Sequence, residues 1–224
     1  MLKFDPELAP IESIAGEAAV DPARLNQVWI RNRFAAAPDW QSEQTDENFY
    51  SLSAEKFRNA SVLIALVQRE HGLNLLFTRR TAHLSQHGGQ ISFPGGRAEV
   101  HDRDAIDTAL RESTEEIGLD QQRVEVIGQL PHYHTITGYR VTPVIGIVSE
   151  MPQLTSDPNE VAEIFEVPLQ YLMDGAVHQR RTIIIPGEKS QSNRRTFYAM
   201  PYQNYFIWGA TAGMLRNLFH FLRT

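Results

Sequence analysis

Residues 95–119, GGRAEVHDRDAIDTALRESTEEIGL, restrict this chain more tightly than any other stretch. A diglycine turn opens the stretch and a helix follows. Gly118, between Ile117 and Leu119, then supplies a left-handed stop with apolar flanks. At 100° per residue, Glu112, Glu115 and Glu116 fall within roughly a quarter to a third of the helix circumference. Three carboxylates so placed repel one another, so the face needs either solvent screening or a cation. Arg111, four residues before Glu115, is spaced to brace that carboxylate. A wet helix surface would explain RESTEE taken alone. Its framing by Phe93-Pro94-Gly95-Gly96 and Gly118 argues for more, because it ties the acidic face to a loop whose backbone can approach a ligand closely. Oxygen-only donors at this density suit a hard ion, Mg²⁺ or Mn²⁺, and not zinc.

Composition removes several classes of function. The absence of cysteine excludes disulfides, thiolate catalysis and zinc-cysteine sites. A net charge of -6 leaves no basic excess with which to replace the counterions of a nucleic acid. The start, MLKFDPELAP, lacks a basic region followed by an apolar core, so no secretory signal is expected. The apolar runs are too short to span a bilayer, so no membrane partner is expected and a cytoplasmic location is the default.

The chain divides by texture into residues 1–59, a helical N-terminal extension and linker, and residues 60–224, the domain that carries the chemistry. In the extension, Asp21-Pro22 starts a helix whose apolar stripe is Leu25, Val28, Trp29, Ile30 and Phe34. This extension is free to cover a sheet edge or join a homodimer contact. From Ser61 to Gln68, SVLIALVQ predicts a β-branched strand, paired with Leu73–Thr78 across a His71-Gly72 turn. Further strands are expected at 91–93, 124–130, 141–148, 182–185 and 196–202. A closing helix runs from about Ile207 to Leu222 on the stripe Ile207, Thr211, Met214, Leu215, Leu218, Leu222. Patterning alone supports a mixed α and β fold.

Other residues invite chemistry. Arg79, Arg80 and His87, between a strand end and the glycine turn, are placed to meet anionic oxygens or to pair with surface acids. His132 and His134 have the spacing of a strand pair of metal ligands, but lack a third ligand nearby in sequence. Tyr133 and Tyr139 are sized to stack on a base or to pack half-buried. Glu160 and Glu163 form a second acidic pair, available as an extra metal ligand, as a base, or as a solvated strand edge.

The 95–119 stretch resembles the Nudix box, the metal-binding loop–helix of hydrolases that cleave nucleoside diphosphates linked to another group. Arg111, Glu112, Glu115, Glu116, Gly118 and Leu119 match its REUXEEXGU segment, where U is apolar. Three departures stand out: one extra loop residue, Asp102 in place of the first Glu, and polar Ser113 at an apolar position. The insertion, with Glu99 and Asp102, is similar to the coenzyme A pyrophosphatase branch. That branch also carries LLTxR(S/A), an arginine, a glycine and FPGG at fixed spacing. Leu76, Thr78, Arg80, Gly89, Phe93, Pro94, Gly95 and Gly96 match it, whereas Phe77, Thr81 and Ser85 do not. Ser85 stands where the family has an arginine suited to an extra phosphate. EVAEIFEVPL at 160–169 and the Ile207–Ala212 segment are also similar to the branch, so the resemblance covers about residues 60–222.

The resemblance implies an α/β/α Nudix sandwich with a mixed β-sheet, and a metal-dependent pyrophosphohydrolase acting on a small nucleotide. Mg²⁺ or Mn²⁺ would be held by Glu112, Glu115 and Glu116 with the Gly96 carbonyl, while Arg111 keeps the carboxylates in place. Gly95, Gly96, Arg79, Arg80 and His87 would contact substrate. Glu116 and Glu163 both remain open as general base. Coenzyme A or acyl-coenzyme A is the expected substrate. ADP-ribose or a nucleoside triphosphate is the alternative that Ser85 favours, and a non-catalytic nucleotide sensor is a third.

Overall fold

The computed structural model describes residues 5–43, 57–82, 88–150, 152–184 and 194–224. Its centre is a mixed sheet built on two long strands, β2 (Arg58–Arg69) and β8 (Tyr139–Val148), which run parallel. The hairpin partner of β2 is β3 (Gly72–Arg80), which also pairs with the two-residue strand β4 (Ile91–Ser92) and with β9 (Val161–Pro168). The diglycine turn forms β5 (Gly95–Arg97), laid antiparallel on the start of β2. On the far side, β8 pairs with β6 (Glu125–Gln129) and with the short β7 (Tyr133–His134).

Both faces of this sheet are buried, which is why β2 and β8 read as nearly continuous apolar runs. Leu63, Ala65, Val67 and Leu76 point to a core beneath α2 (Ala105–Ile117), joined there by Ala109 and Ile117. Ile64, Leu66, Leu75 and Phe77 point the other way, to a larger core shared with α1 (Gln27–Ala35), the short α3 (Leu169–Leu172) and α4 (Gly209–Arg223). The alternation follows from the two-residue period of a strand. The result is the expected layering of helix, mixed sheet and helix.

A second sheet stands beside α4 and departs from the sequence reading. Its order is β1 (Ile11–Ile14), β10 (Gln179–Ile184), β11 (Arg194–Tyr202) and β12 (Tyr205–Trp208), all antiparallel. Ile207, placed at the head of the closing helix by periodicity, lies in β12; α4 starts two residues later, at Gly209 with φ 60°. The helical content of the N-terminal segment is minor, since that segment also holds β1. Its helix is capped by Asn26, whose side chain accepts the Trp29 N–H, while Asp21-Pro22 caps only a 3₁₀ turn. Val28, assigned to the apolar stripe, is exposed. The loop expected at 131–139 contains β7, and Tyr133 is 2% exposed, packed where Gly213 of α4 leaves room for its ring. It is therefore a core residue and no platform for a base. Among the described residues, no helix is long and apolar enough to cross a membrane.

Candidate active site

The acidic helix is held at both ends by its own sequence. Asp104 accepts the N–H groups of Ile106 and Asp107 at 2.8 and 2.9 Å, an N-cap that offsets the unpaired donors of the first turn. Gly118 adopts φ 67° and its N–H returns to Thr114 O, while Leu119 N–H reaches Ser113 O. Ser113 is buried with its hydroxyl donated to Ala109 O at 2.6 Å, so the core tolerates a polar group there.

Arg111 organises the face. Its Nε and Nη2 clasp Asp102 at 2.9 and 3.0 Å, its Nη1 reaches Glu112 at 3.0 Å and Glu115 at 2.8 Å, and Nη2 also donates to Arg97 O. Asp102 takes further bonds from Glu99 N–H and Thr108 Oγ1. The Arg111 guanidinium holds the Asp102 carboxyl far below the usual range, and the Asp102 bond in turn raises Arg111. The residue that replaces the family Glu thus anchors the arginine that spaces the carboxylates.

The glycine turn meets the helix face to face. A Cβ on Gly96 would lie 2.5 Å from the Glu112 carboxyl carbon. Gly95 has φ 152°, and its N–H donates to Glu116 Oε2 at 3.1 Å. Arg80, leaving β3 on the same face, stands 3.4 Å from Glu116 Oε1. Glu116 is 3% exposed. Burial pushes it up to about 7, against the pull of the Gly95 N–H and Arg80, and the charges of Glu112 and Glu160 add to the rise. Burial likewise raises Glu112.

Several expected site residues fall elsewhere. Glu163 does not join the acidic face. It pairs across the strand with Arg79, on the face of Phe77 and Phe165 and opposite to α2. There Arg79 contacts it at 3.1 Å, Tyr205 donates a hydrogen bond to it at 2.7 Å, and the Arg79 guanidinium lies over the Tyr205 ring. Arg79 is thereby turned away from the glycine loop as well. Of the second acidic pair it is Glu160, in the turn before β9, whose charge reaches Glu112 and Glu116. His87 and Ser85 lie outside the described residues. His132 shares a hydrogen bond with Thr142 Oγ1 through Nδ1 at 3.1 Å, and among the described residues no third ligand accompanies His132 and His134.

Among the described residues, no three His, Cys, Asp or Glu side chains converge on one point as a ready metal cage. Glu112 and Glu115 are drawn to Arg111 and Glu116 to Arg80, as like charges must be when arginines are within reach. The donor set still fits a hard divalent cation in its chemistry. Its donors are carboxylate and carbonyl oxygens, and its most buried carboxylate is short of positive charge.

Comparison with known proteins agrees with this geometry. Residues 57–185 match the NUDIX domain family. The chain is 38% identical over 161 residues to the uncharacterized Nudix hydrolase NudL of Pectobacterium atrosepticum, covering 72% of this chain and 81% of that protein. It is 41% identical over 162 residues to NudL of Escherichia coli K12, with the same coverage. A Nudix hydrolase from M. smegmatis, RenU, aligns in structure over 50% of this chain and 71% of its own, at 24% identity and a TM-score of 0.44. With the diglycine turn seated on an arginine-braced acidic helix, and the domain match spanning both, the chain belongs to the Nudix hydrolases and is a pyrophosphohydrolase.

Proposed function

We propose that this enzyme hydrolyses the diphosphate link of coenzyme A or an acyl-coenzyme A. The products are the corresponding phosphopantetheine and adenosine 3′,5′-bisphosphate. The observation that carries the reading is the contact between turn and helix, with Gly96 against Glu112 and the Gly95 N–H on Glu116. It brings the FPGG end of the coenzyme A-type pattern onto the acidic face, and Arg80, from the other end of that pattern, onto the same carboxylate.

In this reading Glu112, Glu115, Glu116 and the Gly96 carbonyl hold Mg²⁺ or Mn²⁺. Such a cation, when bound, offsets phosphate charge and acidifies water. The chain's own groups do the positioning on which phosphoryl transfer depends. Arg111 keeps Glu112 and Glu115 apart from one another's charge and fixed to Asp102. Arg80 turns from Glu116 to an incoming phosphate oxygen, since a guanidinium fork fits either. Glu116, held between the Gly95 N–H and Arg80, takes a proton from the attacking water. Gly95 and Gly96 let the turn lie against β2 and the Glu112 carboxylate, which a Cβ at either position would displace. Glu163, facing the other side of the sheet, positions Arg79 and Tyr205.

A second reading, an ADP-ribose or nucleoside triphosphate substrate, is favoured only by Ser85 in place of an arginine. A substrate panel separates the two. Turnover of coenzyme A, dephospho-coenzyme A and ADP-ribose is measured with Mg²⁺ and with Mn²⁺. Coenzyme A is expected to be fastest, and faster cleavage of ADP-ribose would hand the case to the second reading.

A further inference from the structure

Where β2 and β8 begin, a row of arginine and histidine side chains shares the face of the acidic helix. Arg140 on β8 donates from Nε to Asn59 Oδ1 on β2 at 3.1 Å. His134 stands opposite Arg140 in the β7–β8 register, with the Phe57 ring 4.7 Å from its own. His132, two residues back, is exposed and bonded to Thr142 through Nδ1. Asn59 and Ser61 lie on one face of β2, and Ser61 is opposite Gly96, whose missing Cβ points at Glu112. Arg140 and Thr142 continue that face on the next strand. Two strand spacings, about 10 Å, therefore separate the Gly96 backbone from Thr142; Arg140 lies two residues further along β8, and His134 one strand further out.

Among the described residues the arginine of the row makes no ion pair, as is also true of Arg24, Arg33 and Arg181, which bond to backbone carbonyls. Arg31, Arg69, Arg79, Arg80, Arg103 and Arg111 are each paired with a carboxylate. Among the described residues, Arg140, His132 and His134 have no carboxylate partner, and neither do neighbouring Arg58, laid over the Tyr139 ring, and Arg97. Burial first, and then Arg140 and His134, push the His132 ring down, towards its neutral form.

We infer that Arg140, with His132 and His134, forms a subsite for a phosphomonoester carried on the nucleoside of the substrate, beside the diphosphate centre. A terminal phosphate carries close to two negative charges and three acceptor oxygens, which suits an arginine fork flanked by two imidazoles. Phe57 adds a ring edge beside it for the attached base or sugar. The inference rests on the coenzyme A reading for the identity of the carrier. It also supplies that reading with a phosphate partner in place of the arginine missing at Ser85.

The test is calorimetric binding of adenosine 3′,5′-bisphosphate and of AMP to the intact protein, to Arg140→Gln and to His132→Ala, with thermal midpoints confirming folding. The kcat/KM ratio of coenzyme A to dephospho-coenzyme A is measured alongside. Wild type should favour the bisphosphate by about tenfold or more, the usual worth of a charge-assisted contact. Arg140→Gln should bring that ratio towards one, and His132→Ala should lower it in part. Equal binding of the two ligands by wild type, or a ratio intact in both variants, overturns the subsite. If coenzyme A is cleaved preferentially while both variants keep the ratio, the substrate reading stands and the subsite falls. If the variants lose the binding ratio but wild type cleaves neither coenzyme A nor its dephospho form, the subsite stands and the substrate reading falls.

Discussion

At the scale of single residues, the acidic face works because its carboxylates sit in unlike surroundings. Glu115 is exposed and tied to Arg111, whereas Glu116 is buried beneath Gly95 with Arg80 beside it. Glu115→Gln and Glu116→Gln should each lower turnover by orders of magnitude in Mg²⁺ or Mn²⁺ and leave the far-ultraviolet spectrum unchanged; wild-type rates in either would refute the ligand assignment. Glu116 also makes stability depend on pH. Its folded value of about 7 lies above an ordinary glutamate's. Between the two values the native state binds the extra proton, so stability falls as pH rises from about 4.5 to 7, by roughly 3 kcal/mol from this group. In chelator the thermal midpoint should therefore drop across that window, and Glu116→Gln should flatten the drop. A wild-type slope in the variant would place the titration elsewhere. The arginine-to-carboxylate bracing was legible in the sequence, because i,i+4 neighbours meet on any helix. The division of labour between Glu160 and Glu163 was not. Glu160 lies in the turn before β9 and Glu163 within the strand, and only the β3–β9 register, with its bulge at Arg79/Arg80, decides which side of the sheet Glu163 takes.

At the scale of elements, the glycine turn and the acidic helix are one device, and the two glycines serve it differently. A Cβ at Gly95 would fall on the Ser61 carbonyl oxygen and the Val62 backbone, in a φ of 152° that side chains rarely adopt. A Cβ at Gly96 would meet only the end of the Glu112 side chain, which can swing aside. Gly95→Ala should therefore unpair β5 from β2 and cost about 2–4 kcal/mol or more in urea unfolding. Gly96→Ala should stay within about 1 kcal/mol of wild type while losing most of its turnover, because Glu112 is displaced. Equal stability losses would show that the turn is rigid as a unit. The Gly118 stop of the acidic helix, the β2–β3 hairpin and the apolar strands were readable locally, since caps, turns and runs are short-range signals. β12 and the late start of α4 were not. The stripe through Ile207 suits a strand face as well as a helix face, and pairing with Met200 on β11 chose the strand.

At the scale of the whole molecule, a buried ionic knot ties the N-terminal segment to the last helix. Arg216 of α4 is 2% exposed and reaches Glu17 at 2.7 Å, Glu43 at 3.0 Å and His178 Nδ1 at 3.0 Å. His178 donates its other nitrogen to Leu172 O, and burial holds its ring down to about 4, so it remains a neutral acceptor for the arginine. Glu43 feels the opposing push of burial, but bonds from His220 and Tyr198 and the Arg216 charge bring it down to about 2. Arg216→Met removes the one cation that two carboxylates share. It should cost about 3–5 kcal/mol, lowering the thermal midpoint by roughly 10 °C. A shift of only a degree or two would mean that Glu17 and Glu43 find water or other partners.

Sequence alone determined the chemistry and the local scaffold: a capped acidic helix, a glycine turn before it, apolar strands and the absence of thiols. These follow from neighbours within a few positions, where covalent geometry dictates who meets whom. Tertiary structure decided what depends on register between distant strands. It turned Glu163 and Arg79 to the far face, sent Tyr133 into the core, joined β1 to β10, and set Arg140 two strands from Gly96. A shift of one residue in any pairing exchanges the faces of every side chain on that strand, and no spacing within a single segment records the choice.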